Sequence, residues 1–220
     1  MKMGDRKTVD QEAVEQAKRG VLLVLTGPTG SGKDTLFQKL QEHDPLIIKI
    51  ITTTSRQPRS GESEGNPYYF LSREDFERKI VEDAFFEWVE FRGELYGTQK
   101  KTLMDALEKG VDVIWRIEAK GVKNIKQKVK QMVDRSVFVF LTAPVEILKN
   151  RVMKDEGDQK FTTRWNESLV LWEREQYDDC DYLVFNQQDN LKEAVKQVLS
   201  IIEAKRIEIK KLPLEHRSSL

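Results

Sequence analysis

A glycine-rich segment early in the chain has the residue types and spacing of a phosphate-binding loop. Gly27, Gly32 and Lys33 fit the pattern Gly-x4-Gly-Lys. Glycines let the backbone turn its N–H groups toward an anion, the next helix adds positive potential, and the lysine reaches the outer phosphates. An apolar run at 21–26 precedes the loop and a helical pattern follows, whereas a chance glycine-rich turn with a solvated lysine would not require that context. The predicted nucleotide-binding residues are Gly27, Pro28, Thr29, Gly30, Ser31, Gly32, Lys33, Asp34 and Thr35.

The residue after the lysine departs from the usual motif. A Ser or Thr is expected there as a magnesium ligand, and this chain has Asp34, with Thr35 one place on. The Asp34 carboxylate could attract Mg²⁺, or it could be a first-turn charge that favours the helix dipole. Both interpretations stay open, and neither residue is assigned with certainty as a metal ligand.

A second segment could bind another anion. Arg56 and Arg59 lie three residues apart around Pro58, and Tyr68 follows nearby. Both guanidinium groups can point at one anion, and a phenol can add a hydrogen bond. From spacing alone, a solvated basic loop explains the same pattern.

Several further motifs occur in a specific order. Thr52-Thr-Thr-Ser-Arg-Gln-Pro-Arg-Ser-Gly-Glu62 precedes Gly65 and Tyr68-Tyr-Phe, then the aromatic run FFEWVEF, then Tyr96-Gly-Thr98. Together they resemble the guanylate kinase family of P-loop nucleoside monophosphate kinases. The resemblance extends from about residue 21 to about 202.

This resemblance implies roles for individual residues. Lys33, Arg151 and Arg164 would serve phosphoryl transfer, the two arginines from a lid, and Asn186 would contact adenine. Glu87 would read guanine, because one carboxylate can accept from N1–H and N2–H₂ together, while adenine presents an acceptor at N1. The implied GMP site comprises Thr52, Arg56, Arg59, Glu62, Tyr68, Glu87, Tyr96, Thr98 and Glu118.

The chain differs from the family pattern in two further places. The lid is a few residues shorter and lacks one arginine, so that Lys154 or Lys160 would have to substitute. Arg116 stands where the family commonly has an acidic residue, although Glu118 keeps the second acid. We expect Arg116 to pair with a carboxylate such as Glu118 or Glu87, or to join the phosphate clamp.

The elements that must position these residues follow from the apolar pattern. Buried strands are predicted at 21–26, 47–52, 111–117, 136–142 and 182–185, and helices at 33–42, 99–109, 122–132, 144–153, 164–177 and from 191. This alternation predicts an α/β, three-layer P-loop fold around a parallel sheet. Residues 55–98 break it and are predicted to form an inserted mixed lobe, with a strand at 85–91 and a helix that starts at Ser72 and presents Phe76, Ile80 and Val81 on one face.

We divide the chain into an N-terminal extension (1–20), a kinase-like domain (21–206) with a lobe at about 55–98 and a lid at about 153–163, and a tail (207–220). The 37 basic and 37 acidic residues cancel, which argues against a dedicated nucleic-acid-binding protein. One cysteine, Cys180, excludes an intrachain disulfide. The 21–25 run is too short to span a membrane and lies too far in to be a signal peptide, so we expect a cytoplasmic protein.

The expected activity is phosphoryl transfer from ATP, with Mg²⁺, to GMP, which gives ADP and GDP. Two alternatives remain at this point: a kinase of the same fold with another monophosphate acceptor, and a catalytically silent guanylate-kinase-like binding module. Lys33 and the intact glycines argue against the silent module. The partners expected are the two nucleotides; the sequence does not indicate the oligomeric state.

Overall fold

The computed structural model of this protein describes residues 20–91, 93–117, 119–133, 135–156, 177–187 and 190–211. Several predictions fall outside these ranges. They are the structure of the N-terminal extension up to residue 19, the site residues Glu118 and Arg164, the lid from 157 onward, the helix at 164–176 and the tail from 212.

A five-stranded parallel sheet forms the centre of the fold, as predicted. Its strands are β1 (Leu22–Thr26), β2 (Ile48–Lys49), β7 (Val113–Arg116), β8 (Ser136–Thr142) and β9 (Tyr182–Phe185). They lie in the order β2-β7-β1-β8-β9, and every neighbouring pair is parallel. All residues of β1 and β8 are buried, because helices cover both faces of such a sheet.

The helices divide between the two faces of this sheet and make the three layers. Helices α1 (Lys33–His43) and α6 (Leu191–Lys211) pack on the face that carries Leu23 and Leu25. Helices α3 (Lys100–Glu108) and α4 (Ala119–Met132) pack on the opposite face, around Trp115. Helix α5 (Val145–Glu156) follows β8. Because the strands are parallel, the loops at their carboxyl ends all open on one edge, where ligands bind in such sheets.

The inserted segment forms a second sheet of its own. Strands β3 (Thr53–Thr54), β4 (Tyr69–Phe70), β5 (Phe85–Phe91) and β6 (Glu94–Gln99) lie in the order β4-β3-β6-β5 and are of mixed direction. Helix α2 (Arg73–Val81) belongs to this lobe and starts after Ser72, in agreement with the prediction. The Ser72 side chain caps the helix by accepting from the Asp75 N–H at 3.0 Å. A small apolar core of Phe76, Phe85 and Leu95 holds it together.

The structure differs from the sequence prediction in a few elements. The run at 47–52 is not one strand, because the chain leaves the parallel sheet after Lys49 and enters the lobe sheet at Thr53. Val81 is 86% exposed and does not share the buried face of Phe76, since residues five apart lie about 140° apart around a helix. Helix α5 continues to Glu156, into the predicted lid, and α6 extends to Lys211, past the predicted boundary at 206.

Candidate active site

A cavity of about 1150 Å³ lies between the carboxyl edge of the parallel sheet and the inserted lobe. It brings together side chains from segments that are far apart in sequence. The predicted site residues that line it are Thr29, Gly30, Gly32, Lys33, Asp34, Thr35, Thr52, Arg56, Arg59, Glu62, Tyr68, Glu87, Tyr96, Arg151 and Asn186.

The phosphate loop connects β1 to α1 through backbone conformations that favour glycine. Gly27 has φ 140° and Gly32, the residue before α1, has φ 90°. A Cβ at Gly27 would lie 2.0 Å from the Leu141 carbonyl oxygen, and one at Gly32 would lie 2.4 Å from the Asn186 amide nitrogen. These glycines are therefore required both by the turn and by the close approach of β8 and of the segment after β9.

Lys33, Arg151 and Asn186 stabilise the phosphate loop by donating hydrogen bonds to its carbonyl oxygens. Lys33 Nζ donates to the carbonyl oxygens of Gly27 (2.7 Å) and Pro28 (2.9 Å). The buried Asn186 donates from Nδ2 to the Ser31 carbonyl oxygen at 2.8 Å. Arg151 on α5 donates to the carbonyl oxygens of Gly30 and Asn186, both at 3.3 Å. The Lys33 ammonium and the Arg151 guanidinium therefore lie at the loop whose sequence predicts phosphate binding.

Across the cavity, an ion pair organises the loop that carries the two arginines. Arg56 Nη2 donates to both carboxylate oxygens of Glu62 (3.0 and 2.9 Å), and the Arg59 N–H donates to the same carboxylate at 2.8 Å. Burial raises the pKa of Glu62, but the hydrogen bonds from Arg59 and Arg56 outweigh it and lower the pKa overall. Glu62 is therefore ionised, and it holds the Arg56 side chain and the Arg59 backbone in place.

Aromatic rings form the wall beside these arginines. The Arg56 guanidinium lies 5.6 Å from the ring centre of Tyr68 and 5.8 Å from that of Phe70. Tyr68 and Tyr96 meet edge to face with centroids 6.0 Å apart. These contacts hold the Arg56 guanidinium against the aromatic wall. The phenols of Tyr68 and Tyr96 belong to the same aromatic cluster.

A chain of hydrogen bonds leads from the core of the protein to Glu87. The fully buried Trp115 donates from Nε1 to the Thr98 hydroxyl at 2.8 Å, and that hydroxyl donates to Glu87 Oε1 at 2.8 Å. Because Thr98 accepts from the indole, its own proton is directed to the carboxylate. Thr98 is itself fully buried and therefore acts on the cavity through Glu87.

Asp34 is held between two cations. Its Oδ1 accepts from Lys49 Nζ at 2.8 Å and its Oδ2 from Arg116 Nη1 at 2.6 Å. Partial desolvation raises the pKa of this carboxyl, but the Arg116 charge and the Lys49 hydrogen bond prevail and lower it. Arg116 also donates from Nη2 to the Tyr68 hydroxyl at 2.9 Å. The sequence predicted that Arg116 pairs with a carboxylate such as Glu118 or Glu87, or joins the phosphate clamp. Asp34 is a carboxylate partner that was not among those named, and Glu118 lies outside the described ranges.

These contacts bear on the magnesium ion that the sequence motif implies. Each carboxylate oxygen of Asp34 already accepts from a cation, and the positive charge beside both oxygens disfavours direct coordination of Mg²⁺ by this side chain. In the described ranges, no group of three or more His, Cys, Asp or Glu side chains could hold a metal ion.

The chain is similar to known proteins in both sequence and fold. The sequence model described as Guanylate kinase matches residues 19–205. The guanylate kinase of Carboxydothermus hydrogenoformans is 35% identical over 196 residues, covering 88% of this chain and 93% of that protein. That of Desulfitobacterium hafniense is 36% identical over 199 residues, covering 90% and 96%. A crystal structure of guanylate kinase from Anaplasma phagocytophilum matches with a TM-score of 0.66 at 28% identity, covering 85% of this chain and 86% of the other.

The chain belongs to the guanylate kinase family.

The motifs that carry the guanylate kinase resemblance lie around one cavity, apart from two residues outside the described ranges, Glu118 and Arg164. Of the remaining predicted residues, Gly27, Pro28 and Ser31 build the phosphate loop without lining the cavity, and Thr98 lies behind Glu87. Among the helices of the described segments, none has the length and hydropathy of a membrane span.

Arg116 and Trp115 contribute to the site without being among the site residues predicted from sequence. Arg116 departs from the guanylate kinase pattern, and the structure places it in the cavity wall. Trp115, which supports Thr98, carries no sequence signal beyond its place in a buried strand. The opposite charges of Asp34 and Arg116, two unusual residues for their positions, are the sequence signal that could have indicated this pair.

Proposed function

We propose that this protein transfers the γ-phosphate of ATP to GMP, with ADP and GDP as products. The observation that carries the proposal is a shared cavity, in which the phosphate loop faces the arginines, tyrosines and Glu87 of the inserted lobe. Binding two nucleotides in one cavity places donor and acceptor phosphates next to each other, which is the main requirement of phosphoryl transfer.

We propose that the donor nucleotide binds at the phosphate loop. The loop N–H groups and Lys33 would hold its β- and γ-phosphates, and Arg151 would approach the transferring group from α5. Asn186, which supports the loop through Ser31, is assigned to the adenine end by resemblance. Arg164 is assigned to the lid on the same grounds.

The acceptor GMP binds at the lobe in this proposal. Arg56, Arg59, Tyr68 and Tyr96 surround its phosphate, and the Arg56–Glu62 pair keeps the first guanidinium in place. Glu87 accepts from the guanine edge, with one of its oxygens already fixed by Thr98. Thr52 and Glu118 complete the predicted acceptor set.

The chemical step needs no protein nucleophile, because an oxygen of the GMP phosphate attacks the γ-phosphorus in line with the leaving ADP oxygen. The protein contributes position and positive charge, which stabilise the oxygens of the transferring group. Mg²⁺ is proposed to arrive with ATP and to keep several waters, as it commonly does when phosphates supply ligands. Residues 55–98 act as the acceptor lobe and 153–163 as the lid, and we expect the reaction to take place in the cytoplasm.

A coupled assay of ADP formation with GMP, AMP, CMP and UMP in parallel tests the proposal. We expect kcat/KM for GMP to exceed that for AMP by on the order of 10²-fold or more, because AMP leaves the Glu87 carboxylate without a donor. A purified Lys33→Ala variant measures contaminating kinase activity. GMP binding without ADP formation would identify a silent binding module, and preference for another monophosphate would identify a kinase with a different acceptor.

A further inference from the structure

Two departures from the family pattern are in direct contact in the structure. Asp34 replaces the usual hydroxyl residue after the loop lysine, and Arg116 replaces a common acidic residue. Their side chains form an ion pair of 2.6 Å although they lie 82 positions apart in the chain. The other branch of the same guanidinium reaches the Tyr68 hydroxyl.

The topology explains why these two positions meet. Arg116 is the last residue of β7 and is in register with Leu25 of β1, the strand that leads into the phosphate loop. Asp34 lies in the first turn of the helix that follows the loop. In P-loop nucleotide hydrolases, a hydroxyl residue of the loop and the Walker-B acid together hold Mg²⁺. In this chain Asp34 replaces the hydroxyl residue and Arg116 replaces an acid, and the two side chains form a salt bridge with each other.

We propose that Arg116, oriented by Asp34, is a positioning residue that joins the phosphate loop to the acceptor-phosphate clamp through Tyr68. The Tyr68 oxygen accepts from Arg116, so the phenol directs its own proton elsewhere and becomes a better donor to an anion. The guanidinium fork suits this role because its two branches bind two partners in fixed geometry. This inference rests on the proposed function and assigns a role that the family pattern does not supply.

The first test measures GMP binding by titration calorimetry in EDTA without ATP, so that neither metal nor catalysis contributes. We expect Arg116→Met and Tyr68→Phe each to weaken GMP binding by about tenfold, the scale of one charge-assisted hydrogen bond. Because Arg116 acts through Tyr68, the double variant should bind no worse than Tyr68→Phe alone. Arg116→Lys keeps the charge but not the fork and should lie between wild type and Arg116→Met. Arg78→Met, on exposed α2, is the matched arginine control and should bind as wild type.

A second set of variants tests the role of Asp34. Asp34→Asn should weaken GMP binding several-fold in the wild-type background and have no such effect in the Arg116→Met background. Thermal unfolding by circular dichroism confirms that each variant is folded. If Asp34→Asn leaves GMP binding in EDTA unchanged and shifts only the Mg²⁺ concentration for half-maximal rate, Asp34 is a metal ligand and the inference is wrong.

Other results overturn it as well. Unchanged GMP affinity in Arg116→Met, or losses that multiply in the Arg116→Met/Tyr68→Phe double variant, would show that Arg116 does not act through Tyr68. Higher GMP affinity in Asp34→Asn would show that Asp34 only repels phosphate. Failure of the wild-type protein to bind GMP would overturn the proposed function too, whereas wild-type binding with unaffected variants overturns this inference alone.

Discussion

At the scale of single residues, Lys33 and Glu87 lie on opposite sides of the cavity and serve different nucleotides in the proposed reaction. Lys33 Nζ already lies against the carbonyl oxygens of Gly27 and Pro28, inside the loop that would hold the donor phosphates. Glu87 lies in the lobe and is fixed by Thr98. Changes at the two positions should therefore affect different steps.

Lys33→Ala should reduce kcat by on the order of 10²-fold or more, because a preorganised cation is lost from a charged transition state. GMP affinity, measured by calorimetry, should stay near the wild-type value, since the lysine serves the donor. Lys101→Ala, an exposed lysine on α3, is the control. A near-normal kcat for Lys33→Ala would show that the loop is not the donor site.

Glu87→Gln should weaken GMP binding by about 1.5–3 kcal/mol, the scale of a hydrogen bond to a charged group. The amide oxygen can still accept from Thr98, which turns the NH₂ group toward the guanine donors. Glu90→Gln is a matched control on the same strand, where the side chain faces Arg73 on the surface. Equal GMP affinities for wild type and Glu87→Gln would remove Glu87 from the base-binding site.

At the scale of elements, the loop between β3 and β4 depends on Glu62 for its shape. This carboxylate accepts from the Arg56 guanidinium and from the Arg59 backbone. The family resemblance implies that Glu62 is a polar contact to the nucleotide. Its contacts in the structure instead favour an indirect role, in which Glu62 holds the two arginines that would bind GMP.

Glu62→Ala should therefore raise the KM for GMP by about fivefold to twentyfold, as expected for the loss of one organising hydrogen-bonded pair, with a smaller change in kcat. Steady-state kinetics at saturating ATP measures both constants. Glu74→Ala removes a carboxylate from α2 in the same lobe and should leave both unchanged. A lower KM in Glu62→Ala would mean that its charge opposes the acceptor phosphate and that bracing is not its main effect.

At the scale of the whole molecule, Asp112 connects three segments on the edge of the parallel sheet opposite the cavity. The buried carboxylate precedes β7, accepts from the Val21 N–H before β1 at 2.8 Å, and pairs with Arg206 on α6. It thereby attaches the C-terminal helix to the start of two central strands.

Asp112→Ala should lower the free energy of unfolding by about 1–3 kcal/mol, because the buried Val21 N–H loses its acceptor. Urea unfolding followed by circular dichroism gives this value. Glu203→Ala removes an exposed partner of the same arginine and should cost about 0.5 kcal/mol or less. Equal stability of Asp112→Ala and wild type would mean that water replaces the carboxylate at the strand start.

The sequence by itself determined the parts of this protein that depend on neighbouring residues. The phosphate loop is a contiguous segment between a buried strand and a helix, so its glycines and lysine predict its structure directly. The apolar pattern predicted the five parallel strands, and the helix cap at Ser72 is equally local. The order of the motifs was enough to indicate the guanylate kinase family.

Only the tertiary structure decided which distant side chains meet. Arg116 pairs with Asp34 across 82 positions, Trp115 reaches Thr98 across 17, and Arg206 reaches Asp112 across 94. Such pairs depend on the strand order β2-β7-β1-β8-β9 and on the register between strands, whereas apolar periodicity specifies only which face of each element is buried. The division of the 47–52 run between two sheets has the same cause, because a run of apolar residues does not indicate which sheet will bind it.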